Sequence, residues 1–243
     1  PGCLLGQLLE QAARLLGAPH RLGEEIPSHA RLAVIDEVQR LPELLNEVHR
    51  LIEQRGIRFL LTGSSARKLR RGGVNLLGGR ARTKYLHPLT YRELGDRFDL
   101  QRAITNGLLP SVYLSDNPRA DLDAYAGAYL QQEIVAEGAT RNVPAFSRFL
   151  KVAALCNGTI VNFTKVANDA QVPRTTVYEY FDILKETLVL HELPAWRQSR
   201  KRKPLVSSKY YFFDVGVVAA LQGRESPNSE VVLRESGRVF DGL

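Results

Sequence analysis

The residues best placed to do chemistry lie in LAVIDEVQ, Leu32–Gln39, where four apolar residues run straight into two carboxylates, Asp36 and Glu37. A continuous apolar run of that length fits a strand buried on both faces of a parallel sheet. Acids at the carboxyl end of such a strand stand where open α/β sheets bind ligands. Asp followed by Glu suits metal-assisted phosphoryl chemistry, in which one carboxylate holds Mg²⁺ and its neighbour orients or deprotonates the attacking water. Asp36 is therefore the candidate metal ligand and Glu37 the candidate for the water, a Walker B pattern. The plainer alternative is a buried strand ending in a solvated acidic turn.

A second constellation is basic. Arg197–Lys209 carries Arg197, Arg200, Lys201, Arg202, Lys203 and Lys209 with no acid, and Ser64–Lys84 carries seven bases with no acid. The chain has a net charge of +7, so what remains outside these two stretches is net acidic. Two basic patches on a mildly acidic body point to polyanion contacts, not to a uniformly basic coat.

Stepping outward from the acids, Pro42–Arg55 has helical period, with Leu44, Leu45, Val48, Leu51 and Ile52 on one face and Gly56 as its stop. A second apolar strand, Ile57–Leu61, ends in Thr62, Gly63, Ser64 and Ser65. Strand, helix, strand is a crossover that sets hydroxyls beside Asp36 and Glu37. Upstream, Cys3–Leu16 reads as a Leu/Ala-rich helix. Downstream, Ala66–Leu69 begins a short helix, and Arg82–Leu86 reads as a third strand.

Tyr91–Phe98, Leu100–Asn106 and Leu122–Val135 read as helices, interrupted by GLLPSVYLSD at Gly107–Asp116. A further helix ends at Asn157–Gly158. FTKVANDAQVPRTTVYEYFDIL, Phe163–Leu184, then reads as a helix-turn-helix: Val166, Ala167 and Ala170 face inward from a first helix, and Val177, Tyr180, Phe181 and Leu184 from a second. Ala167 sits where two steeply crossing helices leave room only for a small side chain. Strands at Leu188–Glu192 and Tyr210–Asp214, joined by the basic loop, complete a winged helix.

The second helix exposes Arg174, Thr175, Tyr178, Glu179, Asp182 and Lys185, a face of zero net charge. DNA contact therefore falls mainly to the wing (Arg197, Arg200, Lys201, Arg202, Lys203), with Arg174 and Tyr178 beside it. A winged helix used to pack or to hold a protein partner is the open alternative. Asp214 stands as a helix or turn cap before it stands as a metal ligand.

VIDEVQRLPELL, then FLLTGSSARKL, then LLGGRARTKYLHPLTYREL resembles the AAA+ ATPases of the prokaryotic group whose ATPase module is fused to a C-terminal domain of unknown function. GLLPSVYLSD and KYYFFDVGVVAAL resemble the later segments of that group, so the likeness runs from about Leu32 to Phe240. The resemblance implies ATP and Mg²⁺ as cofactors, Ser64 as the sensor of the γ-phosphate, and Arg80 or Arg82 near the nucleotide as charge develops. In the sheet order of that group the phosphate-loop strand lies between the sensor strand and Arg82–Leu86, so the resemblance also implies a gap there, or a sheet that pairs abnormally. One part is missing: no G-x-x-x-x-G-K-[ST] phosphate loop occurs, and the glycines Gly72, Gly73, Gly78 and Gly79 follow the acids instead of preceding them.

The fold class expected is α/β, a partial parallel-sheet P-loop-type ATPase core followed by a helical connector and a winged helix. The divisions are 1–90 for the core, 91–145 for the connector, 146–215 for the winged helix, and 216–243 for the start of a further domain. The sequence begins at Pro1 and has no Met, which reads as a segment whose upstream part, with the phosphate loop, is missing. Cys3 and Cys156 match no metal or redox spacing and are expected as free thiols in a reducing cytoplasm. No apolar run is long enough for a membrane span. The function expected is ATP hydrolysis coupled to partner or DNA binding, with a homo-oligomer as one possible assembly. The alternatives are a nucleic-acid-binding regulator whose ATPase half is structural, and a partner-binding module with neither activity.

Overall fold

A computed structural model describes residues 18–63, 77–129, 142–195 and 208–223. The chain divides into two compact units, Pro1–Lys84 and Tyr85–Leu243.

In the first unit, a short helix α1 (Leu22–Glu25) precedes strand β1 (Leu32–Ile35), helix α2 (Leu44–Arg55) and strand β2 (Arg58–Leu61). The strands pair in parallel, Leu32 opposite Arg58 and Ile35 opposite Leu61, so both run out at the same edge of the sheet. α2 forms because its apolar residues recur at helical spacing; Leu44, Leu45, Val48 and Leu51 are all buried. Gly56, at φ +63°, ends it in the left-handed conformation, with its N–H returning to the Ile52 carbonyl. Leu22 and Ile57 join that stripe, and Ala33, Ile35, Phe59 and Leu61 pack on it from the sheet. The Arg55 guanidinium holds the preceding loop by donating to the carbonyls of Gly23, Ile26 and Pro27.

β1 is not buried on both faces. Leu32, Val34 and Leu60 are 55%, 61% and 54% exposed, because among the described residues the sheet has two strands and α2 covers one side. Nor is Arg82–Leu86 a strand: residues 81–87 carry no regular secondary structure and are exposed, Leu86 almost fully. A strand needs a ladder partner, and β1 and β2 pair only with each other among the described residues.

The second unit is mainly helical: α3 (Tyr91–Leu94), α4 (Leu100–Asn106), α5 (Pro110–Tyr113), α6 (Pro118–Ala124), α7 (Val143–Leu155), α8 (Phe163–Ala170), α9 (Arg174–Glu186) and α10 (Val215–Leu221). Most begin at a side-chain cap, as with Thr90 and Glu93 in a reciprocal box, Asp99, Asn117, Asn142 and Asn162. Tyr91–Phe98 is shorter as an α-helix than its pattern predicts, passing into a 3₁₀ turn at Gly95. Likewise the expected Leu122–Val135 helix is α6 continued by a π turn at Tyr125–Tyr129, and its remainder lies outside the described residues.

The core of this unit is aromatic. Phe146 and Phe149 of α7 meet Tyr180 and Phe181 of α9 with ring centroids 4.9 to 5.3 Å apart, and Phe181 meets Tyr210 at 4.8 Å. α8 and α9 are joined through Gln171 at φ +55°, with Val172 N–H donating to the Ala167 carbonyl. Val166, Ala167, Ala170, Val177, Tyr180, Phe181 and Leu184 are buried there. Strands β3 (Leu190–Leu193) and β4 (Lys209–Phe212) then form an antiparallel pair, Leu190 opposite Phe212. Asp214 caps α10, its Oδ1 accepting from Val217 N–H at 3.1 Å, while Oδ2 accepts from Leu108 N–H at 2.6 Å. Gly107, at φ +78°, lies so close to that carboxylate that a Cβ would collide with it.

Candidate functional site

The parallel register decides the first site. Because Ile35 lies opposite Leu61, the next residues, Asp36 and Thr62, emerge side by side, and Thr62 N–H donates to the Ile35 carbonyl at 2.9 Å. The Thr62 hydroxyl donates to Asp36 Oδ1 and accepts from Glu37 N–H at 3.4 Å, and Val38 N–H donates to the Thr62 carbonyl at 3.0 Å. Glu37 adopts φ +53°, ψ +42°. That left-handed conformation costs a residue with a Cβ about 1 kcal/mol or more and persists only where its surroundings enforce it.

The Glu37 carboxylate accepts from Gln39 Nε2 at 2.7 Å, with the exposed Arg40 guanidinium 3.6 Å away. Gln39 is 1% exposed. Its side chain fills the space beside Gly63, where a Cβ would strike it.

This tip presents hard oxygen ligands. Asp36 is exposed and has one oxygen engaged by a hydroxyl, which leaves the other for a cation. Mg²⁺ binds through one or two carboxylates and keeps several waters, so these residues fit it. A phosphate cradle has no counterpart in this sequence, which lacks the G-x-x-x-x-G-K-[ST] motif.

Of the other residues expected at this site, the structure describes Arg80 and Arg82. Arg80 Nε pairs with Glu53 Oε1 at 2.5 Å and holds that carboxyl below the usual range. Glu53 lies in the last turn of α2, just before β2 begins, so this contact stands near the amino end of β2. Arg82 is exposed. Ser64 lies outside the described residues, as do Arg197, Arg200, Lys201, Arg202 and Lys203. Thr62 and Gln39 were not among the expected site residues. Their only signal is position, a hydroxyl at the strand end and an amide two residues after the acid.

On α9, Arg174 donates from Nη2 to the Tyr178 hydroxyl at 2.8 Å, and its guanidinium lies 5.5 Å from that ring's centroid. Tyr178 in turn stacks on Phe163 at 4.4 Å, making a three-layer stack. Farther along, Lys185 bridges Asp182 at 2.9 Å and Glu192 at 3.0 Å. Burial disfavours its charge, yet those hydrogen bonds outweigh it and raise the pKa of Lys185. Glu192 is held low, first by the Ser208 hydroxyl and then, against burial, by Lys185. These groups line an open cleft of about 630 Å³. No helix of the described residues is long and apolar enough to cross a membrane.

Residues 7–95 match the family model of an AAA domain, and residues 97–228 match that of a domain of unknown function, DUF8612. No curated protein and no solved structure matches the chain. By the match over more than half its length the chain belongs to the DUF8612 family, and the segment that precedes this domain is similar to an AAA domain.

Proposed function

We propose that the first unit supplies the metal-binding and water-orienting half of an ATP-hydrolysing site. In this reading Asp36 holds Mg²⁺, Glu37 positions the attacking water, and Ser64 senses the γ-phosphate. Arg82, or Arg80 once released from Glu53, approaches the developing charge. The observation that supports it is the left-handed Glu37 held directly beside an Asp36 that Thr62 orients, at the shared carboxyl edge of two parallel strands. Strain of this kind concentrates where chemistry needs a fixed group. Bound Mg²⁺ supplies charge neutralisation on the phosphates. The chain's own residues orient the carboxylates and the water.

The test is a Mn²⁺ titration followed by electron paramagnetic resonance, with Mn²⁺ standing in for Mg²⁺. Weak binding that Asp36→Asn abolishes and Arg174→Ala leaves alone is expected. Binding that ignores Asp36→Asn overturns the assignment.

A second reading concerns the other unit. We propose that α8, α9, β3 and β4 act as a winged helix whose loop, Arg197–Lys203, contacts DNA phosphates in a largely sequence-independent way, with Arg174 and Tyr178 at its margin. The ion pairs of Lys185 favour this division of labour, because they leave the exposed face of α9 without a net positive charge to offer the groove. A protein partner recognised by the same basic loop is the competing outcome.

A further inference from the structure

Gln39 is a fully buried polar side chain whose amide donates to a carboxylate at the surface. Only 1% of it is exposed, yet Nε2 reaches out to Glu37 at 2.7 Å. Three features hold it there. Val38 beside it is buried in the core of the first unit, which fixes the 3₁₀ turn Val38–Arg40. Gly63 presents no side chain, so the Gln39 amide fits against the β2 tip, where any Cβ would collide with it. The Glu37 backbone is left-handed, which turns its carboxylate back over the residue two positions later.

Side chains that act through another are most effective when packing locks their own rotamer. A buried amide donor does this better than Arg40, whose side chain is 76% exposed and 3.6 Å from Glu37.

We infer that Gln39 is the positioning residue of this site: it clamps the Glu37 carboxylate, and so sets where the attacking water stands relative to the ion at Asp36. The inference rests on the ATPase reading for what Glu37 does, but the clamp itself does not. Packing alone would use either amide hydrogen bond indifferently. Positioning requires that Glu37, and not Asp36, be the acceptor.

The experiment is nuclear magnetic resonance on the full chain. In the native protein the Gln39 side-chain amide protons should exchange at least about tenfold slower than those of a free glutamine. Glu37→Ala should weaken that protection and Asp36→Ala should leave it unchanged. With Mn²⁺ added, the apolar Gln39→Leu, which removes the donor, should change the paramagnetic relaxation of the Glu37 carboxyl carbon by about twofold or more, with Mn²⁺ affinity within about twofold of native, since the ligand is untouched.

Protection that Glu37→Ala leaves unchanged overturns the clamp, as does a Glu37 signal indifferent to Gln39→Leu. If Mn²⁺ fails to bind at Asp36, the ATPase reading falls, while the exchange measurement still decides the clamp.

Discussion

Replacing Asp214 by Ala should be among the most damaging single changes in the second unit. The carboxylate is 4% exposed and accepts from two backbone donors far apart in sequence, Val217 N–H at 3.1 Å and Leu108 N–H at 2.6 Å. Losing the cap on α10 costs about 1 kcal/mol. Leaving the buried Leu108 N–H without an acceptor adds roughly 1–3 kcal/mol. The total is about 2–4 kcal/mol, which for a unit of this size lowers Tm by roughly 5–15 °C. Asn keeps one acceptor and a good cap, so Asp214→Asn should lose about half of that.

The pH dependence separates charge from hydrogen bonding. Burial raises the Asp214 pKa above its value of 3.8 in the unfolded chain. A group raised on folding contributes stability that is full below its unfolded pKa and lost as pH rises through its folded pKa. Acidification from neutral towards pH 4 should therefore stabilise the native protein relative to Asp214→Asn, opposite in sign to a salt-bridged carboxylate. Urea unfolding followed by circular dichroism at 222 nm across that range measures both effects. An Asp214→Ala variant within about 0.5 kcal/mol of native, the scale of an ordinary surface change, would refute the reasoning.

This chain should turn ATP over below about 1 s⁻¹, because phosphoryl transfer depends on a cradle that its sequence lacks; joined to a phosphate-binding loop it should hydrolyse, and Glu37→Gln should then keep nucleotide binding and lose turnover in a phosphate-release assay. In anisotropy titrations of a labelled duplex, replacing Arg200, Lys201, Arg202 and Lys203 by Ala should remove a salt slope of about −3.6, from roughly −0.9 per phosphate, whereas Arg174→Ala, a residue already engaged with Tyr178, should make it shallower by about 0.9 or less. Ala167→Leu should destabilise the second unit by about 1–3 kcal/mol in thermal unfolding, since that buried position at the α8–α9 turn has no room for added methylenes.

Much of the architecture is legible in the sequence. β1, α2 and β2 declare themselves by apolar run, helical period and a glycine stop. α8 and α9 do so by the spacing of Val166, Ala167 and Ala170 and then Val177, Tyr180, Phe181 and Leu184, which matches the buried residues. The acids Asp36 and Glu37 were conspicuous for the same local reason, since polar residues ending an apolar run mark where a strand emerges. Periodicity reports which face of an element is covered because burial repeats with the backbone's own geometry.

It carries no record of partners. Which hydroxyl meets Asp36 is set by strand register, and register chose Thr62. Arg80 found Glu53, 27 residues earlier, and Asp214 found Leu108, 106 residues earlier, because chain crossings bring them together. The left-handed turn at Glu37 and the buried Gln39 that holds its carboxylate arise only when β2's tip and its Gly63 close over the 3₁₀ turn. Composition, period and stop signals determined the elements and the acids they carry. Tertiary packing alone decided the exposure of one face of β1, the failure of Arg82–Leu86 to become a strand, and the contacts of Asp36, Arg80 and Asp214, because those depend on which surfaces meet and not on the order of residues along any one of them.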